Sequence, residues 1–453
     1  LRPTPMLSFA LRELGCTAGV VVTASHNPPQ YNGYKVYWED GAQITAPKDK
    51  QIITEVQAIT DFAQVKTMSE EDAKAAGLYE VIGEEIDDKY MEALKKLVLR
   101  PEAIKEQADK LKIVYTPLHG TGNIPVRRVL KELGFNNVYV VKEQELPDGD
   151  FPTVSYPNPE DKNAFTLALK LAEEVDADIV LATDPDADRL GIYAKNEKTG
   201  EYESFTGNMS GMLILEYLLS QRKELGMLPE NGAVVTTIVS GKMARAIAKE
   251  YNVELIETLT GFKYIGEQIK FFEQNHDHEF LFGYEESYGC LEGTHARDKD
   301  AVVAVMALCE AAAYYKSKGI TLCEQMQNLY QKYGFYKESL FFQTFQGMEG
   351  KAKIDGLMDA LRNEPPKQVG PFKVTALEDY KKSVRTDIAT GETSALTLPE
   401  SNVLYFELED GAWFCVRPSG TEPKIKYYAG VKGADAQDAE DKLEALSKAV
   451  VEL

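Results

Sequence analysis

The sequence predicts a multidomain α/β protein that closes with a smaller α+β domain. Between about 111 and 290, short β-branched runs alternate with longer amphipathic runs, the pattern of βαβ units around a mixed or parallel sheet. After about 336 the pattern changes to paired strands followed by one terminal helix. A chain of 453 residues, 44% apolar and 10% aromatic, can bury cores for roughly three domains, with room for four.

The elements follow in order. An apolar strand at 19–22 precedes Ser25. Residues 111–116 read as a strand, 124–133 as a helix stopped by Gly134, and 137–141 as the next strand. The alternation continues with a strand at 178–183, a helix at 209–225, a strand at 233–239, a helix at 242–251 and a strand at 279–283. The run 301–315 is a buried helix, too short for the ~20 residues that span a bilayer. Strands at 403–408 and 413–416 flank Asp410-Gly411 as a hairpin, and a final helix starts near 434. Candidate boundaries are the charged segment 100–110, the turn Leu228-Pro229-Glu230-Asn231-Gly232, and 334–338.

The opening at Leu1, with no initiator Met, basic leader or cleavage pattern, reads as the interior of a longer polypeptide. Cys16, Cys290, Cys309, Cys323 and Cys415 are scattered and form no CxxC pair. That argues against a disulfide framework or zinc site and fits a reducing cytoplasm. Fifty basic residues against 72 acidic give a net charge of −22, which disfavours nucleic acid and anionic lipid as partners. An anionic substrate therefore needs a pocket of a few placed Lys and Arg side chains.

Four loops carry such chemistry. Thr23-Ala24-Ser25-His26-Asn27-Pro28 follows a strand, so Ser25 emerges at the carboxyl edge where α/β sheets bind ligands. Its hydroxyl can carry a phosphoryl group if a base and a cation assist. An Asn-Pro turn with a capping Ser explains the same run equally well. Asp184-Pro185-Asp186-Ala187-Asp188-Arg189 ends the strand at 178–183. If the loop stays extended, its three carboxylates face one side and converge on a hard cation such as Mg²⁺. An EF-hand fails here, because Arg189 and Lys195 stand where Gly and Glu are needed. A haloacid-dehalogenase-type phosphatase stays open, although Asp188 departs from its pattern.

Gly283-Tyr284-Glu285-Glu286-Ser287-Tyr288-Gly289 follows another strand and leads to His295-Ala296-Arg297-Asp298-Lys299-Asp300. Glu285 and Ser287 can bind adjacent sugar hydroxyls, and Lys299 can act as general acid or base. A charged loop capping the next helix is the plainer reading. Arg417-Pro418-Ser419-Gly420-Thr421-Glu422-Pro423-Lys424 combines a guanidinium fork, two hydroxyls and glycine-exposed backbone. It suits a phosphate clamp or a simple turn between strands.

Taken together and in this order, the four loops closely resemble the signature of the phosphohexose mutase superfamily, the phosphoglucomutases and phosphomannomutases. The resemblance covers essentially the whole chain. It implies three related α/β domains with mixed sheets around a central cleft plus a smaller carboxyl-terminal α+β domain. These divide at 1–106, 107–231, 232–335 and 336–453, each donating one loop. The first is expected to be incomplete, because family members begin with a further strand and a Gly/Thr/Arg-bearing segment.

By the same resemblance Ser25 is the phosphoserine, and Asp184, Asp186 and Asp188 hold Mg²⁺ with its phosphate. His26 and Arg189 sit beside the phosphoryl group, and Lys35 and Lys299 act in proton transfer. Glu285 and Ser287 read sugar hydroxyls, with Arg297 near the substrate. Arg417, Ser419, Gly420, Thr421 and Lys424 clamp the phosphate that is not reacting. Thr260-Gly261-Phe262-Lys263 is similar to the loop of glucose and pentose mutases. Thr260, Gly261 and Lys263 therefore join the substrate set, and glucose phosphate is favoured. The implied reaction interconverts glucose 1-phosphate and glucose 6-phosphate through glucose 1,6-bisphosphate, with mannose or pentose phosphates as alternatives. A phosphatase and a catalytically silent sugar-phosphate-binding protein are the readings from other classes.

Overall fold

In the computed structural model, which describes residues 1–345, 348–419 and 424–453, the chain divides into two units. One comprises Leu1–Thr236 and Gly261–Cys323, the other Thr237–Thr260 and Glu324–Leu453.

The first unit is built on strands whose composition states their burial. Ile113–Thr116 and Ile179–Thr183 are buried at every residue. They read as unbroken apolar runs because a parallel strand is covered on both faces. They sit inside a mixed sheet ordered Val138–Val140, Ile113–Thr116, Ile179–Thr183, Leu190–Lys195, Tyr202–Phe205. The first three are parallel, and the last two join antiparallel.

The crossover helix Asn123–Leu133 ends at Gly134, whose φ of 98° is the left-handed conformation that closes helices. Glu279–Tyr284 lies parallel to Gly232–Thr237 and antiparallel to Cys290–Glu292. Ala18–Val22 pairs antiparallel with Tyr34–Trp38 and leads into the Ser25 loop. Asp300 caps the helix Ala301–Ser317, accepting from the Val302 and Val303 amides. Nearly all of that helix is buried, which is why its sequence lacks a polar face. Among the described residues no helix is long and apolar enough to cross a membrane.

The charged segment 100–110 contains a short helix. It is helical over Pro101–Gln107 with Ala103 and Ile104 buried. Glu310 anchors its start, accepting from the Leu99 and Arg100 amides at 2.8 and 2.5 Å. Its charges belong to the solvated face of a short amphipathic helix.

The second unit contains an antiparallel sheet ordered Phe335–Thr344, Lys424–Gly433, Trp413–Pro418, Leu404–Leu408, Phe372–Asp379, Val384–Asp387, Thr393–Ala395. Phe406 and Phe414 face each other across the predicted hairpin and stack with centroids 4.3 Å apart. Leu404, Phe406 and Leu408 point to a core that includes Ile354, Met358, Leu446 and Val450. These come from helices Met348–Asn363 and Ala436–Val451.

The Arg362 guanidinium ties the first of those helices to the sheet. Its Nε donates to Asp379 Oδ1 and Oδ2 at 3.1 and 3.0 Å, and its Nη2 donates to Asn402 at 2.8 Å. Both members of the pair are buried. Arg362→Met strands the Asp379 carboxylate and is expected to destabilise this unit by about 3 kcal/mol, the lower end for a broken buried pair. The low end applies because Lys382, 3.8 Å from Asp379, remains as a partial partner. Urea denaturation of the whole chain checks it; an unshifted midpoint refutes it.

Candidate active site

The strand Ala18–Val22 delivers Ser25 into a left-handed conformation, φ 54°, costly for a residue with a Cβ. The loop holds it there. The Ser25 amide donates to Thr23 Oγ1 at 2.9 Å, and the Thr23 amide donates to the Gly33 carbonyl at 3.1 Å. Ser25 Oγ then stands 3.0 Å from His26 Nδ1 and 3.3 Å from Asp184 Oδ2. Burial, with Arg189 next in weight, pushes His26 down to about 3. The imidazole is therefore neutral near pH 7, able to accept the Ser25 proton in a hydrogen bond but too weakly basic to keep it.

The aspartate loop is a tight turn rather than the extended segment expected from alternation. Ala187 is left-handed at φ 52°, and its amide donates to the Asp184 carbonyl at 2.9 Å. Asp184 Oδ1 accepts from the Asp188 and Arg189 amides, both at 3.0 Å. Thr121 holds the turn from outside, its amide and hydroxyl donating to the Pro185 carbonyl at 2.8 and 2.9 Å. The turn achieves the expected convergence by another route. Asp184, Asp186 and Asp188 bring one oxygen each within 4.8 Å of one another, all buried.

Three buried carboxylates need positive charge. Burial first, then the charges of Asp186 and Asp188, pushes the Asp184 carboxyl well above its ordinary range. Asp186 Oδ2 accepts from Thr4 Oγ1 at 3.0 Å, Thr23 Oγ1 at 3.2 Å and Lys35 Nζ at 3.2 Å. Asp186 Oδ1 and both Asp188 oxygens are buried without a hydrogen bond. An all-oxygen set with lone pairs left over fits a hard divalent cation.

Two ammonium groups already lean on this cluster. Lys35 Nζ lies 3.5 Å and Lys299 Nζ 3.1 Å from the same atom, Asp188 Oδ2. Burial alone would lower both pKa values, but Asp188 and the neighbouring carboxylates outweigh it and raise them. The protonated form of Lys299 is thus favoured, which neutralises charge in the cluster. Arg189 pairs through Nη1 with Glu160 Oε1 at 2.6 Å, its Nε 3.9 Å from Asp188 Oδ1.

Glu285 is buried at the end of Glu279–Tyr284, and its Oε1 accepts from the Gly261 amide at 2.9 Å. The loop Thr260-Gly261-Phe262-Lys263 is tied to the Glu285 loop by that bond. Lys263 Nζ rests 5.0 Å from the Tyr264 ring centroid, and Ser287 is half-buried. The buried guanidinium of Arg297 pairs with Glu273 and the Thr294 carbonyl.

In the second unit Arg417 lies at the end of Trp413–Pro418, opposite Lys426. The Ser419 amide donates to the Lys424 carbonyl at 2.7 Å, and Lys424 Nζ lies 4.5 Å from the Phe342 ring centroid. Gly420 and Thr421 lie outside the described residues.

Sequence reasoning missed Thr4, Tyr37, Gln43, Glu160 and Asp298. Only Asp298 carried a signal, its place inside the run His295 to Asp300. The others come from segments with no motif.

Comparison with known proteins matches four family descriptions along the chain. They are phosphoglucomutase/phosphomannomutase alpha/beta/alpha domain I over residues 1–62, domain II over 88–199, domain III over 206–333, and the C-terminal domain over 362–446. A Staphylococcus epidermidis phosphoglucomutase is 40% identical over 432 residues, 95% of this chain and 76% of that protein. One from Staphylococcus aureus is 38% identical over 446 residues, 98% and 78% of the two chains. Among solved structures, the open form of the Paramecium phosphoglucomutase parafusin covers 100% of this chain and 81% of its own, with TM-score 0.66 and 19% identity.

Proposed function

The chain belongs to the phosphoglucomutase/phosphomannomutase family, and from that premise we propose that it interconverts α-D-glucose 1-phosphate and glucose 6-phosphate through a phosphoserine at Ser25 and a glucose 1,6-bisphosphate intermediate. One observation carries the reading to this site. A strained, anchored hydroxyl lies 3.3 Å from a buried carboxylate trio with three oxygens that accept no hydrogen bond.

In the proposed cycle, an oxygen of the sugar attacks the phosphorus on Ser25. A bond from phosphorus to sugar oxygen forms, the bond to Ser25 Oγ breaks, and the proton of the sugar hydroxyl ends on Ser25 Oγ, which becomes a hydroxyl again. The bisphosphate turns end for end and returns its other phosphoryl group to Ser25 by the reverse exchange. Asp184, Asp186 and Asp188 would hold Mg²⁺ together with the Ser25 phosphate; the ion supplies Lewis-acid neutralisation of the phosphoryl charge. Lys35, Lys299 and Arg189 add fixed positive charge where the transition state spreads its negative charge.

Glu285 and Ser287, with Thr260, Gly261 and Lys263, are proposed to bind the sugar. Arg417, Ser419, Gly420, Thr421 and Lys424 are proposed to take the resting phosphate. The four domains are proposed to divide at 1–106, 107–231, 232–335 and 336–453. All five cysteines are free, which supports a cytoplasmic setting.

The test is a coupled assay. Glucose 6-phosphate should appear from glucose 1-phosphate without free phosphate and with stimulation by glucose 1,6-bisphosphate; released phosphate would make the protein a phosphatase. Running mannose and pentose phosphates beside glucose phosphate decides the sugar. Arg417→Ala is expected to weaken substrate binding by about 2 to 4 kcal/mol, roughly 30- to 1000-fold in KM. Unchanged kinetics would remove Arg417 from the clamp.

A further inference from the structure

Lys299 stands between two carboxylates, and only one of them belongs to the cation cluster. Its Nζ lies 3.1 Å from Asp188 Oδ2 and 3.2 Å from Asp298 Oδ1. Asp298 is 1% exposed and fully engaged. Its Oδ2 accepts from Tyr37 Oη at 2.5 Å and from Gln43 Nε2 at 2.8 Å. Its Oδ1 accepts from the Lys299 amide at 2.8 Å as well as from Nζ. The lysine stem has little choice of path. It runs over Gly289, where an added Cβ would stand 2.0 Å from Lys299 Cδ.

A divalent cation seated on Asp188 competes with Lys299 for that carboxylate's charge, and it repels the ammonium at short range. Lys35 faces the same competition but retains Asp186 Oδ2 at 3.2 Å. For Lys299, Asp298 is the carboxylate left within ion-pair distance.

We propose that Asp298, braced by Tyr37 and Gln43, is a positioning residue that draws Lys299 off Asp188 when a divalent cation binds, keeping the ammonium beside the phosphoryl site without blocking the metal. This inference rests on the metal-assisted reading above. Loss of the Asp298 charge leaves Lys299 leaning wholly on Asp188, so the lysine becomes a competitor of the metal.

Mn²⁺ serves as the probe, its binding to the whole chain followed by electron paramagnetic resonance. Asp298→Asn should weaken Mn²⁺ binding by about 10- to 100-fold, the usual range for a lost supporting partner of a metal ligand. Adding Lys299→Met to that variant should restore affinity, because the competitor is gone, while kcat stays low. Asp298→Glu, which keeps the charge, should bind Mn²⁺ within about threefold of the parent. A purely structural role predicts the opposite for the double variant, a further loss of affinity. Should Asp298→Asn fail to fold, a crystal structure of the Mn²⁺-loaded parent decides: the Lys299 pair with Asp298 persists and the pair with Asp188 opens.

Equal Mn²⁺ affinity in Asp298→Asn and the parent overturns the proposal alone, and so does a loaded structure in which Lys299 stays on Asp188. No Mn²⁺ binding by the parent overturns the metal reading and this inference with it.

Discussion

Ser25→Ala is expected to lower kcat by at least about 10⁴-fold, the scale seen when a covalent nucleophile is removed. The geometry explains why nothing nearby can substitute. Thr23 Oγ1 already accepts from the Ser25 amide and lies against Asp186. His26, held down at about 3, is neutral but engaged against Ser25 itself. The substitution deletes one half-buried hydroxyl and keeps the Cβ, so stability should change by less than about 1 kcal/mol. Intact mass spectrometry should find a phosphoryl group on the parent after incubation with glucose 1,6-bisphosphate and none on the variant. Turnover within tenfold of the parent would remove Ser25 from the mechanism.

The second large effect is expected at the cation cluster. Asp188→Asn takes one charge from a trio that needs a cation and should weaken divalent-ion binding by about 100-fold or more, with a parallel loss of turnover. Binding also stabilises the folded chain by RT ln(1 + [L]/Kd). At a Mg²⁺ concentration of about 100 Kd the parent should gain about 2.7 kcal/mol, whereas a 100-fold weaker variant gains about 0.4 kcal/mol. Calorimetry with and without Mg²⁺ reads that difference independently of activity. Chelation should silence the parent reversibly, with Mg²⁺ restoring it. An equal Mg²⁺ stabilisation in both proteins would separate Asp188 from the metal.

Much of the fold was legible because its signals are local. The buried strands Ile113–Thr116 and Ile179–Thr183 announce themselves as β-branched runs, and Gly134 stops a helix by its own conformational freedom. The Phe406 and Phe414 hairpin needs only a turn and two alternating strands. One of the two partners of Lys424–Gly433 was not legible: it is Phe335–Thr344, some 80 residues earlier, and no local pattern encodes that pairing. The helix Pro101–Gln107 was not legible either, since its charged face masks the buried Ala103 and Ile104 in one dimension.

By itself the sequence determined the chemistry on offer: a hydroxyl after one strand, three carboxylates after another, a Glu-x-Ser loop after a third and an Arg-bearing loop near the end. Each depends on residue type and short spacing, which the chain carries directly. Tertiary structure decided how they combine. It folded the aspartates into a turn, set Ser25 against Asp184 across 159 residues, and brought Tyr37 to Asp298 across 261. It also paired Arg297 with Glu273. The physical reason is that such contacts follow from how sheets and helices pack to bury their apolar faces. A motif states which groups can react, and only packing sets the distances at which burial turns carboxylates, lysines and one serine into a site.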